Sequence, residues 1–280
     1  MIAGIFHPGS GLGNQLFRYV ATRVLAEDRG YDFGMINPEG FKGKDFMEID
    51  MGKQVPVGHV QVLEGGYLSI NSDLKRFEEK KIVENGVDVR SFDPEWAFVE
   101  DNTIIDGEFQ DEKYFYHKMM GHITDATTGK PVHGAYGPLS RWLETPVLAM
   151  PNDVCVIGFR GGEFQFIPEL FLTRDYWETA ITLMREVNPQ MRFIAVTDDP
   201  TLAAAVLPRE VKVTHDIATD WRMVRNAKYL IISNSSFYIL PSLLNNHVKK
   251  VIAPRYWARR NTGVWALPSN YYSDKRWQYI

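Results

Sequence analysis

Residues 7–19 read His-Pro-Gly-Ser-Gly-Leu-Gly-Asn-Gln-Leu-Phe-Arg-Tyr, directly after the apolar run Met1-Ile-Ala-Gly-Ile-Phe6. Glycines at alternate positions, Gly9, Gly11 and Gly13, permit positive φ and let the backbone approach a ligand closely. Beyond Asn14 and Gln15, the apolar residues Leu16, Phe17, Val20, Val24 and Leu25 recur as one helix face should. Strand, glycine turn and helix in that order aim free N–H groups and a positive dipole end at whatever lies above the turn. The natural guest is an anion, most often a phosphate. A tight turn that merely closes a strand–helix unit reads equally well from these residues alone.

Working outward, the helical pattern runs to about Asp28 and meets a stop at Arg29-Gly30. Tyr31 to Ile36 reads as a second strand. Residues 41–71 are weakly patterned, Asp73 to Lys81 reads as a charged helix face, and 121–145 look loop-rich. Thr145-Pro146 and Met150-Pro151 mark a boundary, giving expected domains of 1–147 and 148–280. The second half alternates more cleanly. Strands are predicted at 154–159, 191–196, 211–214, 229–232 and 251–253, with helical patterns between them. Such alternation predicts an α/β chain with parallel, doubly wound sheets in two lobes.

Composition narrows the partners. Lys plus Arg total 31 against 35 Asp plus Glu, a net charge of −4, so no global basic field draws in nucleic acid or an anionic membrane. The single cysteine, Cys155, sits in an apolar run and excludes a disulfide framework or a multi-cysteine metal site. Neither a leader pattern nor an apolar stretch of ~18 residues is visible, so a cytoplasmic chain without membrane insertion is expected. Aromatics gather near the C-terminus (Tyr256, Trp257, Trp265, Tyr271, Tyr272, Trp277, Tyr279), where they close a core or stack on sugars.

In open α/β sheets ligands collect beyond the carboxyl ends of strands. Four predicted strand ends carry polar groups: Gly9 to Asn14, Arg160-Gly-Gly-Glu163, Asp198-Asp199 and Ser233-Asn-Ser-Ser236. A guanidinium beside two glycines suits a diphosphate. Ser235 and Ser236 at a helix start can donate to phosphate, and Asp198 and Asp199 can accept from a ribose or a base. Taken singly, Arg160 also reads as a surface ion-pair partner, and the aspartates and serines as helix caps. Recurrence at four strand ends points to a nucleoside diphosphate, with no metal required.

These residues carry a resemblance. Gly11-Leu-Gly-Asn-Gln-Leu-Phe-Arg-Tyr19 resembles the Gly-x-Gly-Asn-Gln-Leu-Phe-Gln-Tyr signature of bacterial α-1,2-fucosyltransferases. The segments 106–115, Val196-Thr-Asp-Asp199, Leu230 to Phe237, and Val251 to Pro254 with Trp257 are similar to further blocks of that family, in family order. The resemblance implies a GT-B-type fold of two Rossmann-like lobes facing a cleft. It implies an inverting, metal-independent, cofactor-free transfer of fucose from GDP-fucose to an oligosaccharide.

By the resemblance, Arg160 holds the β-phosphate, and Glu163 is a candidate general base, though it also reads as a cap or ion-pair carboxylate. Asn14, near the reacting centre, positions donor or acceptor; Gly11, Gly13, Gln15, Asp198, Asp199, Asn234, Ser235 and Ser236 line the substrate. The chain departs from the family's His-x-Arg-Arg-x-Asp-Tyr motif. Gly158 stands for the histidine, Gly161 for the second arginine and Glu163 for the aspartate. Tyr238-Ile239 stand where paired tryptophans are common. Another nucleotide-sugar donor, or a non-catalytic nucleotide-sugar or glycan-binding relative, is therefore kept as an alternative. A dinucleotide oxidoreductase fails its fingerprint, because Asn14 or Leu16 stands where the third glycine belongs.

Overall fold

The computed structural model describes residues 1–80, 82–84, 87–89, 92–119, 138–255 and 276–280. The chain divides into two compact units, Met1–Val83 with Asp88–Thr145, and Glu84–Val87 with Pro146–Ile280. Both are α/β and each is built on a parallel sheet.

In chain order the first part carries β1 (Ile2–Ile5), α1 (Leu12–Arg29), β2 (Phe33–Ile36), β3 (Val60–Val62), β4 (Leu68–Ile70) and β5 (Lys75–Glu78). It continues with β6 (Ile82–Glu84), β7 (Val87–Val89), β8 (Thr103–Asp106) and the short helices α2 (Tyr116–Met119) and α3 (Pro138–Trp142). Four strands form a parallel sheet in the order β2-β1-β8-β5, and β3 pairs with β4 as an antiparallel hairpin. Leu16, Phe17, Val20 and Val24 of α1 are fully buried, as their spacing predicts. Gly30 ends α1 in the left-handed region at φ 69°, its N–H bonded to the carbonyls of Ala26 and Glu27.

Two expectations fail here. The described part of the segment predicted as a helix at Asp73 to Lys81, residues 73–80, is not one: Lys75–Glu78 pair in parallel with β8 as an edge strand. Its charges are those of a sheet edge that must stay soluble, and they do not mark a helix face. The glycine turn is also shorter than its three glycines suggest. Helix α1 begins at Leu12, so Gly13 is buried inside its first turn.

The second part carries β9 (Val154–Phe159), α4 (Arg174–Val187), β10 (Arg192–Thr197), α5 (Pro200–Val206), β11 (Lys212–Thr214) and α6 (Ile217–Asn226). It ends with β12 (Tyr229–Ile232), α7 (Ser236–Leu243), β13 (Lys250–Ala253) and β14 (Trp277–Tyr279). The sheet order is β11-β10-β9-β12-β13-β14, every pair parallel. Counted from β9 this is 3-2-1-4-5-6, the order of a doubly wound sheet. Every side chain of β9 is buried, as a strand covered on both faces requires. Cys155 lies in this core, where burial pushes its thiol well up, away from nucleophilic use.

No helix among the described residues is long and apolar enough to cross a membrane. Residues 120–137, and Tyr256, Trp257, Trp265, Tyr271 and Tyr272, lie outside the described residues.

Candidate functional site

A doubly wound sheet opens a crevice where its strand order reverses. In the second unit that point lies between β9 and β12, and the predicted residues stand on both sides of it. Ser233, after β12, donates its N–H to the Gly158 carbonyl of β9 at 2.9 Å, which ties the two strand ends together.

Arg160 leaves β9 and is held by two carboxylates. Its Nη1 meets Asp198 Oδ2 at 2.8 Å and its Nη2 meets Glu163 Oε1 at 2.5 Å. Asp198 also accepts the Gly161 N–H at 2.9 Å, fixing the loop that carries the arginine. The arginine lies over the Phe164 ring, 5.3 Å from its centroid. Glu163 is mostly exposed. Partial burial pushes its carboxyl up, but the Arg160 hydrogen bond and charge, with a backbone hydrogen bond, together hold it below the ordinary range. Asp199 serves a helix instead: its Oδ1 accepts the Leu202 N–H at 2.9 Å and caps α5. Of the two aspartates, then, one orients the arginine and one starts a helix.

Across the crevice, Ser235 is the N-cap of α7 and uses no side-chain bond for capping, while Ser236 opens the helix. Asn234 is buried and donates to the Leu170 carbonyl at 3.2 Å. Ser233 Oγ is buried with no hydrogen-bond partner among the described residues.

The departures at Gly158 and Gly161 have a steric reason. A Cβ on Gly158 would stand 2.6 Å from the Tyr238 ring, and one on Gly161 would stand 2.8 Å from Asp199 Cβ. Tyr238 fills the space in which a residue-158 side chain would sit. Its hydroxyl donates toward the carbonyls of Phe159 at 2.9 Å and Val196 at 3.1 Å, bridging β9 and β10.

Asp220, on α6, is not among the residues that the sequence singles out. It is only 3% exposed, and its Oδ1 has no hydrogen-bond partner among the described residues. Burial pushes its carboxyl up to about 7, against the lowering pull of the Asp216 backbone, of His215 and of Thr197 at the end of β10. His215 Nδ1 lies 2.6 Å from the Thr197 carbonyl. One signal is present in the chain: Asp220 falls at helical spacing with the buried Met223 and Val224, so it belongs to the core face.

In the first unit the order reverses between β1 and β8. Here the loop after β1 is spoken for by its own unit. Gly9 donates to the Gly66 carbonyl at 3.0 Å, and a Cβ on Gly9 would stand 2.1 Å from the Gly65 carbonyl oxygen. The close approach that requires glycine is therefore to the tip of the β3–β4 hairpin. Gln15 is fully buried: its Nε2 donates to the Gly40 carbonyl at 2.8 Å, and its Oε1 accepts from the Lys42 N–H at 2.9 Å. The structure thus places Gln15 and Gly13 inside the unit. Gly11 is exposed at the N-cap, and half-buried Asn14 accepts from Gln110 at 3.1 Å.

Arg18 is buried and binds the Gly107 carbonyl at 2.5 Å, Ser10 Oγ at 2.5 Å and Glu108 Oε1 at 2.8 Å. His7, also buried, accepts the Leu68 N–H on Nδ1 at 3.0 Å, so its ring proton stays on Nε2, 2.9 Å from Asp106 Oδ1. Nearby in the chain, Phe109 sits at φ 48°, a conformation rare for an aromatic.

No protein-family model matches the chain, and no curated protein matches it at a significant level.

Proposed function

We propose that the chain is an inverting, metal-independent glycosyltransferase that moves fucose from GDP-fucose to an oligosaccharide hydroxyl, built as two Rossmann-like lobes of GT-B type. One observation carries the reading. Arg160 and the Ser233–Ser236 turn end two adjacent parallel strands, β9 and β12, on either side of the switch point of a 3-2-1-4-5-6 sheet. A guanidinium after one strand and a serine-rich helix start after its neighbour supply the donors that a diphosphate seat needs. The sequence blocks that resemble the bacterial α-1,2-fucosyltransferases name the sugar nucleotide.

In this reading the acceptor hydroxyl attacks the anomeric carbon on the face opposite the diphosphate. The new C–O bond forms as the bond to the phosphate oxygen breaks, and GDP leaves with that electron pair. Arg160 offsets the charge gathering on the leaving β-phosphate. The phosphate takes the place of Glu163 on Nη2, while Asp198 keeps the guanidinium aimed. Glu163, once released from its cation, becomes a stronger proton acceptor and serves as general base toward the acceptor hydroxyl. Asn14 stays on the acceptor side of the reaction.

A second reading, a nucleotide-sugar binder without turnover, is favoured by the pairing of Arg160 with two carboxylates. Calorimetry with GDP, GDP-fucose, GDP-mannose and NAD, followed by donor-hydrolysis and glycan-transfer assays, separates the readings. The transferase requires GDP-fucose binding with turnover. Binding without hydrolysis or transfer leaves the binder, a preference for GDP-mannose renames the donor, and NAD binding in place of GDP overturns both.

A further inference from the structure

The crevice of the first unit carries chemistry that a nucleotide does not use. Asp106 closes β8 beside β1, with its Oδ1 fixed by the buried His7 and its Oδ2 unbonded among the described residues and not buried. His7 is itself immobilised through Nδ1 by the hairpin backbone at Leu68. This is a carboxylate whose direction is set by a core residue, with its second oxygen left for something outside.

An aromatic ring also lies near the same imidazole. The Tyr67 ring centroid lies 5.2 Å from that of His7, yet Tyr67 is 53% exposed. Its hairpin also exposes Val62 and Leu63, and the hairpin tip is pinned to the Gly9 loop by backbone pairing. Burial raises the Asp106 carboxyl, but the His7 hydrogen bond and the nearby Arg18 and Arg76 bring it below its ordinary value. Ionised, it can only accept hydrogen bonds, and it repels phosphate.

A carboxylate fixed in direction by His7 and an exposed aromatic ring near the same imidazole suit a neutral saccharide, with hydroxyl donors on its edge and C–H groups on its faces. We infer that Asp106 and Tyr67 form a saccharide subsite in the first unit, in which Asp106 Oδ2 accepts from a sugar hydroxyl and Tyr67 packs against a ring face. That the bound sugar is the acceptor substrate rests on the transferase reading above; the binding itself does not.

The test titrates the full chain with the methyl β-glycosides of galactose, glucose and N-acetylglucosamine, followed by saturation-transfer NMR. At least one glycoside is expected to bind. Asp106→Asn, which keeps an acceptor for His7, should weaken it about tenfold or more, as loss of a charge-assisted hydrogen bond does. Tyr67→Ala, at an exposed position, should weaken it several-fold. GDP affinity should stay unchanged in both. No glycoside binding at millimolar concentrations, or wild-type affinity in Tyr67→Ala, overturns the subsite. A wild-type chain that binds a glycoside but not GDP overturns the donor reading and leaves the subsite standing.

Discussion

The two sheets place their switch points in equivalent positions and furnish them with opposite chemistry. At the β9/β12 point a partly exposed guanidinium, paired with Asp198 and Glu163, follows one strand, and a serine-rich turn with a helix start follows the other. At the β1/β8 point the arginine, Arg18, is buried and consumed by Ser10, Gly107 and Glu108, and what faces outward is the Asp106 carboxylate. Each sheet reverses its strand order at one point, and the charged groups gathered there differ in kind: an arginine paired with two carboxylates at one, a carboxylate tied to an imidazole at the other.

The comparison breaks first if Arg18 is not structural. Arg18→Met should strand the Glu108 carboxylate in a buried setting and cost about 3–5 kcal/mol. Thermal unfolding should shift by many degrees, and adding Glu108→Gln should recover part of the loss; an unchanged melting temperature removes the clamp. Arg160→Ala should behave in the opposite way. GDP affinity should fall about 10- to 100-fold, from ~1.5–3 kcal/mol of charge-assisted bonding, with little change in folding. Equal GDP affinity by calorimetry takes Arg160 out of the site.

Asp220 sharpens the comparison through pH. Its folded value of about 7 lies above the ordinary 3.8, so the folded state holds a proton that the unfolded state has already released. Its contribution to stability is therefore full below the ordinary value and is lost as pH rises toward 7. Asp220→Asn should remove that slope, gaining stability relative to the wild-type chain between about pH 5 and 8 in melting curves. Parallel curves would mean that the carboxyl titrates normally. The smallest effect belongs to Asp199→Ala, where loss of the α5 cap should cost about 1 kcal/mol and leave GDP affinity alone.

Much of the fold is legible in the chain. The strand–turn–helix at the N-terminus and the strands from Val154 to Ala253 follow from apolar runs and helical spacing, which are local signals. The pairings that assign roles are not local. His7 and Asp106 are 99 residues apart, and Arg160 reaches Asp198 across a strand crossover. The contact that requires glycine at Gly9 is hidden for the same reason. The glycine answers to Gly65 and Gly66, in a stretch too weakly patterned to announce a hairpin. Asp220 escapes notice because an aspartate in a helix ordinarily marks its wet side.

The contact between Gly158 and Tyr238 also bears on how such a chain changes over generations. The ring occupies the room that a side chain at 158 would need, so the two positions cannot vary independently in this chain. A larger residue at 158 must first displace the ring, and a smaller residue at 238 opens a hole and drops the bridge to Phe159 and Val196. The pair therefore resists replacement one residue at a time.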